Sequence, residues 1–260
     1  MLRYCGSVWD CRWFWLSLVR ADLRTRYRRS FLGLGWSLLH PIAMTIVLCT
    51  VFHGLFDVAV EEYAPYLLTG LCFWNALTAI AIGGCGCLYQ AENYIRQHPA
   101  PLAIYPLRTV LGAGFHFLVA LLVAVVLTWS LRGFDNVAAL YSIVPALVIL
   151  VVAGWSLAVL TGIANVYFPD TLHLVEVVLQ LMFYATPIIY PPRLLADKGL
   201  GWLVSYNPLA NLVQLLRAPI LDGQPASAAT YAIAVLATLA ILGAATLALK
   251  KLERSLIFHM

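Results

Sequence analysis

Charge is what this sequence has least of: 11% of its 260 residues are Asp, Glu, Lys or Arg against 62% hydrophobic ones, and the mean hydropathy is +0.86. That leaves too little polar surface to cover a water-soluble globule, so most of the chain has lipid as its solvent. Lysine is scarcer still, and Lys198, Lys250 and Lys251 are followed by Gly199, Lys251 and Leu252. A P-loop needs a lysine followed by Ser or Thr after a glycine-rich turn, so none is present here and any ATPase driving this chain is a separate polypeptide. The six cysteines, Cys5, Cys11, Cys49, Cys72, Cys85 and Cys87, include no CxxC pair and fall mostly in or near apolar stretches, where free cysteine acts as a small core residue.

Catalytic constellations are equally thin. His173 and Glu176 are three apart and share a helix face, the minimal spacing for two metal ligands, but no HExxH or other ligand cluster accompanies them and no metal site is expected. Gly154-Trp155-Ser156-Leu157-Ala158 only approximates a nucleophile elbow and lies inside an apolar helix, so Ser156 reads as a packed small residue.

What is present is length without charge. No Asp, Glu, Lys or Arg occurs from Ser30 to Phe56, Tyr63 to Ala91, Thr109 to Leu131, Asn136 to Pro169, or Gly223 to Leu249. About 20 apolar residues in a helix cross the hydrocarbon, so these are five spans. A sixth, Thr171 to Pro192, carries the single charge Glu176. An intramembrane carboxylate is costly unless paired or near water, so Glu176 is either functional or a residue snorkelling to the cytoplasmic end. The expectation is an all-α integral membrane protein of six transmembrane helices, at about 31–56, 64–90, 107–131, 139–166, 171–190 and 227–249. The first run is too long for the core of a cleaved signal peptide and is expected to remain as a span.

Twelve basic residues fall on one side of these spans, including Arg3, Arg12 and Lys250, and four on the other, Arg132, Arg193, Lys198 and Arg217. The positive-inside rule therefore puts both termini in the cytoplasm. Residues 12–29 place Trp15, Val19, Leu23 and Tyr27 on one stripe and Arg20, Arg24 and Arg28 on the next, with Arg26 and Arg29 alongside, the pattern of an amphipathic interface helix. Residues 92–98, ended by Pro99 and Pro101, form a short cytoplasmic helix suited to docking. Residues 191–222 are too apolar for a free loop, and two short re-entrant helices are expected there on the outward side, the second starting at Asn207-Pro208.

Three stretches carry a resemblance. Arg24-Thr-Arg-Tyr-Arg-Arg-Ser-Phe-Leu-Gly-Leu-Gly-Trp-Ser-Leu-Leu-His-Pro41, then Phe168-Pro-Asp170 with Thr186-Pro-Ile-Ile-Tyr-Pro191, then Asn207-Pro-Leu-Ala-Asn-Leu-Val-Gln-Leu-Leu-Arg-Ala-Pro219, resemble in order and spacing the permeases of type 2 ABC exporters for polysaccharides, the O-antigen, capsule and teichoic-acid group. Pro169 stands where that family usually has a basic residue. The resemblance implies one ABC-2 type transmembrane domain over 1–260 in the inner membrane, working as two copies with two copies of a cytoplasmic ABC ATPase. ATP and magnesium are bound by that partner, and this chain has no cofactor of its own. Its ligands are a lipid-linked glycan, O-antigen type first, and membrane lipids, with no nucleic acid.

On that reading Glu92, Tyr94 and Arg96 couple to the ATPase. Trp36, Phe73, Trp74, Phe183, Tyr184 and Tyr190 are candidates for a channel on which sugar C–H faces slide, although Trp and Tyr also gather at membrane interfaces and Phe fills cores. Arg20, Arg24, Arg26, Arg28 and Arg29 either anchor the helix to anionic lipid or hold the glycan's lipid pyrophosphate, which a guanidinium fork grips bidentately. A small-molecule exporter and a membrane-embedded transferase are the competing readings. The transferase would need a clustered polar site, whereas His53, His116 and Glu176 are dispersed in the sequence.

Overall fold

The computed structural model describes residues 2–28, 33, 35–97, 100–133 and 136–256. Among them every regular element is helical. The chain opens with α1 (Leu2–Asp10) and α2 (Arg12–Tyr27), followed by α3 (Gly35–Phe52), α4 (Val60–Cys87) and the short α5 (Glu92–Gln97). Then come α6 (Ile104–Arg132), α7 (Ile143–Tyr167) and α8 (Thr171–Ala185). The short α9 (Arg193–Ala196) and α10 (Gly201–Ser205) precede α11 (Pro208–Leu221) and the long α12 (Ala228–Leu256).

Five of these are long and apolar enough to cross a membrane: α3, α4, α6, α7 with the 3-10 turn before it, and α12. They coincide with the charge-free runs, because lipid leaves the backbone no other way to satisfy its hydrogen bonds. The sixth expected span is shorter than its apolar run. α8 has 15 residues, about 22 Å of helix, and stops at Thr186, whose backbone is extended (φ −102, ψ 137). Pro187 is the cause, since the residue before a proline is driven out of the helical region. The segment expected on the outward side likewise holds three helical pieces, α9 to α11, where two were expected.

α4 is the axis of the bundle, 61% buried over its span where the other four are 17–33% buried, and it packs against α3, α6, α7, α8 and α11. Small residues bring it onto α7. A Cβ on Gly84 would lie 2.7 Å from the Ala158 Cα, and one on Gly162 would lie 2.8 Å from the Gly84 carbonyl oxygen. Such contacts replace the hydrophobic drive that helix pairs lack in lipid. Some buried hydroxyls are satisfied within their own helices: Thr45 donates to the Pro41 carbonyl at 2.7 Å and Ser156 to that of Val152 at 2.7 Å. Ser156 is thus the packed residue its context suggests, and Cys49, Cys72, Cys85 and Cys87 are buried free thiols.

Asn207 starts α11 as expected, its Oδ1 accepting from the Leu209 amide at 2.9 Å ahead of Pro208 at the first helical position. By contrast, α8 has no buried residue at all, and Leu174, Val177, Leu181 and Tyr184 are exposed on it.

Candidate functional site

The site begins where α2 meets α3 and α6. Asp22 on α2 accepts two hydrogen bonds from the Arg108 guanidinium on α6, a bidentate ion pair that fixes how α2 is rotated. One turn further on, the Tyr27 hydroxyl lies 2.7 Å from His116 Nδ1 and 3.1 Å from Ser37 Oγ, so the end of α2, the first turn of α3 and the middle of α6 meet at one polar point. Beside it is a cavity of about 410 Å³ whose lining includes Arg26, Trp36, His40, Asn75, Arg108 and His116.

This geometry divides the arginines. Arg26 lines that cavity together with Trp36, while Arg20, Arg24 and Arg28 line a separate open groove along α2 with Trp13 and Leu16. Arg29 lies outside the described residues.

His40 and Asn75 also line a second cavity of about 280 Å³ between α3, α4 and α8. Its wall carries Trp74, Phe183 and Tyr184 and the polar groups of Glu176, Gln180 and Thr78. The Trp74 and Phe183 rings are 5.3 Å apart, Phe183 and Tyr184 meet edge to face at 5.4 Å, and the Tyr190 hydroxyl donates to the Tyr184 carbonyl at 3.0 Å. Four of the six aromatics singled out by sequence therefore form one group, and Trp36 adjoins it across His40. Phe73 does not: it is 3% exposed and faces an apolar cavity between α4, α6 and α7. Phe73 thus lies on the face of α4 turned to α6 and α7, and Trp74 on the face turned to α8.

Glu176 has one close polar neighbour among the described residues, His173, whose Nδ1 is 3.4 Å from Oε2, longer than a regular hydrogen bond. No group of three or more metal-ligating side chains exists among the described residues.

On the expected cytoplasmic side, Glu92 and Arg96 pair one turn apart at 2.8 Å on α5, and the Tyr94 ring lies 6.0 Å from that of Phe14 on α2. Behind α5 is an elbow that sequence reasoning missed. Glu253 of α12 accepts from the Leu102 amide at 3.0 Å and from the Tyr4 hydroxyl at 2.8 Å, and Trp155 Nε1 donates to the Ala103 carbonyl at 3.1 Å. Both chain ends are thereby fastened to the segment between α5 and α6.

Arg217 was missed as well, having been counted only among the outward basic residues. It is 2% exposed and inserts between α11 and α4, donating to the carbonyls of Pro187 at 2.6 Å and of Tyr66 and Ile188 at 3.1 Å each. The Tyr63 hydroxyl donates to the Ile189 carbonyl at 2.7 Å, so residues 187–189 hang from α4 and α11 by their backbone oxygens. Among the described residues no carboxylate lies within 4 Å of Arg217. Asp222 influences it from further off; burial raises that carboxyl above its usual range, and the charges of Arg132 and Arg217 pull it back. The signal in the sequence was one arginine in the middle of an otherwise uncharged helix.

The sequence signature of ABC-2 type transporters matches residues 14–221, which run from within α2 to the end of α11. The chain belongs to the ABC-2 type transporter family. It is 26% identical over 206 residues, 79% of each chain, to an O-antigen export system permease protein RfbA of Klebsiella pneumoniae, and 24% identical over 214 residues, 82% of each, to one of Myxococcus xanthus. It is also 19% identical over 210 residues to the polysialic acid transport protein KpsM of Escherichia coli, covering 80% of this chain and 81% of that one. This ABC-2 type transporter is a multi-pass membrane protein. Its two cavities, α5 and the Arg217 contacts lie inside the matched range, whereas Tyr4 and Glu253 lie outside it.

Proposed function

We propose that this chain is the permease of an ATP-driven exporter that moves a lipid-linked polysaccharide, of O-antigen type, from the cytoplasm across the inner membrane. One observation carries the reading: relatives along about four-fifths of the chain are named as O-antigen export permeases. The aromatic wall of Trp74, Phe183 and Tyr184 supports it, because a planar ring packs on the C–H face of a sugar without demanding a fixed hydrogen-bond pattern.

The working unit is two copies of the chain and two of a cytoplasmic ABC ATPase, which binds ATP and magnesium. α8 supplies the fifth of six spans, followed by the turn at residues 186–190, and its unburied apolar face lies toward the second copy. α2 lies in the cytoplasmic interface, α9 to α11 fold back from the outward side, and both termini are cytoplasmic, in line with the twelve-to-four distribution of basic residues. Arginines at the mouth draw the pyrophosphate of the lipid carrier, Arg26 from within the cavity and Arg20, Arg24 and Arg28 from the groove leading to it. α5 seats on the ATPase, whose closure reaches the spans through the elbow held by Glu253. The polysialic acid relative makes a capsular glycan the second reading, with the same machinery and a different cargo.

Deleting the chain in its native host is expected to trap lipid-linked polysaccharide inside and abolish surface polymer, with both defects reversed by the chain together with its ATPase. Wild-type surface polymer in the deleted strain would refute the proposal.

A further inference from the structure

Lysine and arginine are absent from all three helices around the aromatic wall. α3 has no charged residue, α4 has only Glu61 and Glu62 in its first turn, and α8 has only Glu176. Glu176 lines the same cavity as Trp74, Tyr184 and the amide side chains of Asn75 and Gln180. Three arginines elsewhere in the fold are committed to other places. Arg26 and Arg108 belong to the neighbouring cavity at the mouth, Arg108 paired with Asp22, and Arg217 is buried with its two Nη atoms on carbonyl oxygens.

We infer that the glycan carried along this wall has no carboxylate or phosphate in its repeating unit. The inference rests on the export reading above and narrows its substrate class. A polyanion drawn past the wall meets the Glu176 carboxylate, with no lysine or arginine on these helices and only the exposed His173 beside it, and a second copy of the chain repeats the penalty. An uncharged sugar meets no such barrier. Its hydroxyls donate to Glu176, which as a carboxylate only accepts, and both donate to and accept from Asn75 and Gln180. The exclusion works by repulsion, as much as by any attraction for the correct cargo. The pyrophosphate of the carrier is met separately, by the arginines of the mouth.

The test uses the full chain with its ATPase in proteoliposomes, supplied with two polymers on one polyprenyl pyrophosphate carrier: a polygalactose, and a polymer in which alternate galactoses are galacturonate. ATP-dependent translocation of each is measured. The wild-type complex is expected to favour the neutral polymer by about tenfold or more, the factor that follows from a single like-charge penalty. Glu176→Gln is expected to shrink that ratio and Glu176→Lys to shrink it further or invert it. Equal translocation of both polymers by the wild-type complex overturns the inference and leaves the export reading standing. If neither polymer moves while ATP is hydrolysed, the export reading itself fails.

Discussion

The guanidinium carbon of Arg217 lies 3.5 Å from the centroid of the Tyr66 ring, stacked on it while its nitrogens reach three backbone oxygens. A buried cation is stable only where its charge is offset. Here carbonyl dipoles and an aromatic face take that role, and the Tyr66 hydroxyl, within 2.7 Å of the Pro187 oxygen and 2.9 Å of the Tyr190 oxygen, joins the same segment. Arg217→Met is expected to lower the stability of the purified protein by about 3 kcal/mol, because it takes the buried donors from the Ile188 and Tyr66 carbonyls and leaves that of Pro187 to the Tyr66 hydroxyl alone. Gly70→Ala is expected to act on the same contact, since a Cβ there would sit 2.3 Å from Arg217 Nη2. The two losses should therefore combine to less than their sum in a double-mutant cycle, and additive losses would separate Gly70 from the arginine.

An aromatic of α4 and one of α8 are expected to fail in different ways. Phe73→Ala opens a core cavity and should cost about 3–5 kcal/mol of stability, whereas Tyr184→Ala, at a side chain 63% exposed, should leave the melting curve in place and lower the export rate. Measuring melting and export on both variants checks this, and a stable Phe73→Ala chain with lost export would place Phe73 in the path instead.

The split among the arginines gives a graded prediction. Lysine at positions 24, 26 and 28 together keeps the charge that anchors α2 to anionic lipid but loses the bidentate fork. Normal insertion and ATPase assembly with reduced export is the expected result, and Arg26→Lys alone should account for more of the loss than Arg24→Lys, because Arg26 faces the cavity. Wild-type export by the triple-lysine chain eliminates the clamp.

Replacing Tyr94 and Arg96 by alanine should weaken copurification of the ATPase, since both side chains are exposed on α5. Glu253→Gln should act differently: the ATPase still binds, but hydrolysis no longer tracks export, because the carboxylate that holds the Leu102 amide and the Tyr4 hydroxyl has lost its charge. Hydrolysis and export that stay in proportion in Glu253→Gln would remove the elbow from the coupling route.

The helices were legible because the membrane imposes a local rule, and a stretch without charge must be a helix wherever it crosses lipid. Asn207-Pro208 was legible for the same reason: a cap acts over three residues. The early end of α8 was written in Thr186-Pro187 but masked by the hydropathy of Ile188 and Ile189, which continue the apolar run without continuing the helix. Contacts between distant segments left no local trace. Tyr4 and Glu253 stand 249 residues apart, Asp22 and Arg108 stand 86 apart, and no periodicity within α2 reveals which of its arginines the Asp22 pair turns toward the cavity.

The brevity of α8 has a mechanical consequence. On the six-span reading proposed above, a helix of about 22 Å in hydrocarbon about 30 Å thick obliges the surrounding lipid to thin toward it, at a fraction of a kcal/mol for each ångström of mismatch. That deformation is a line tension around an isolated protomer, and it disappears where a protein surface replaces lipid along α8. On the two-copy reading proposed above, bilayer thickness then becomes a variable of assembly: thicker membranes would press solitary protomers together harder than thin ones, before any side chain of the pair has touched.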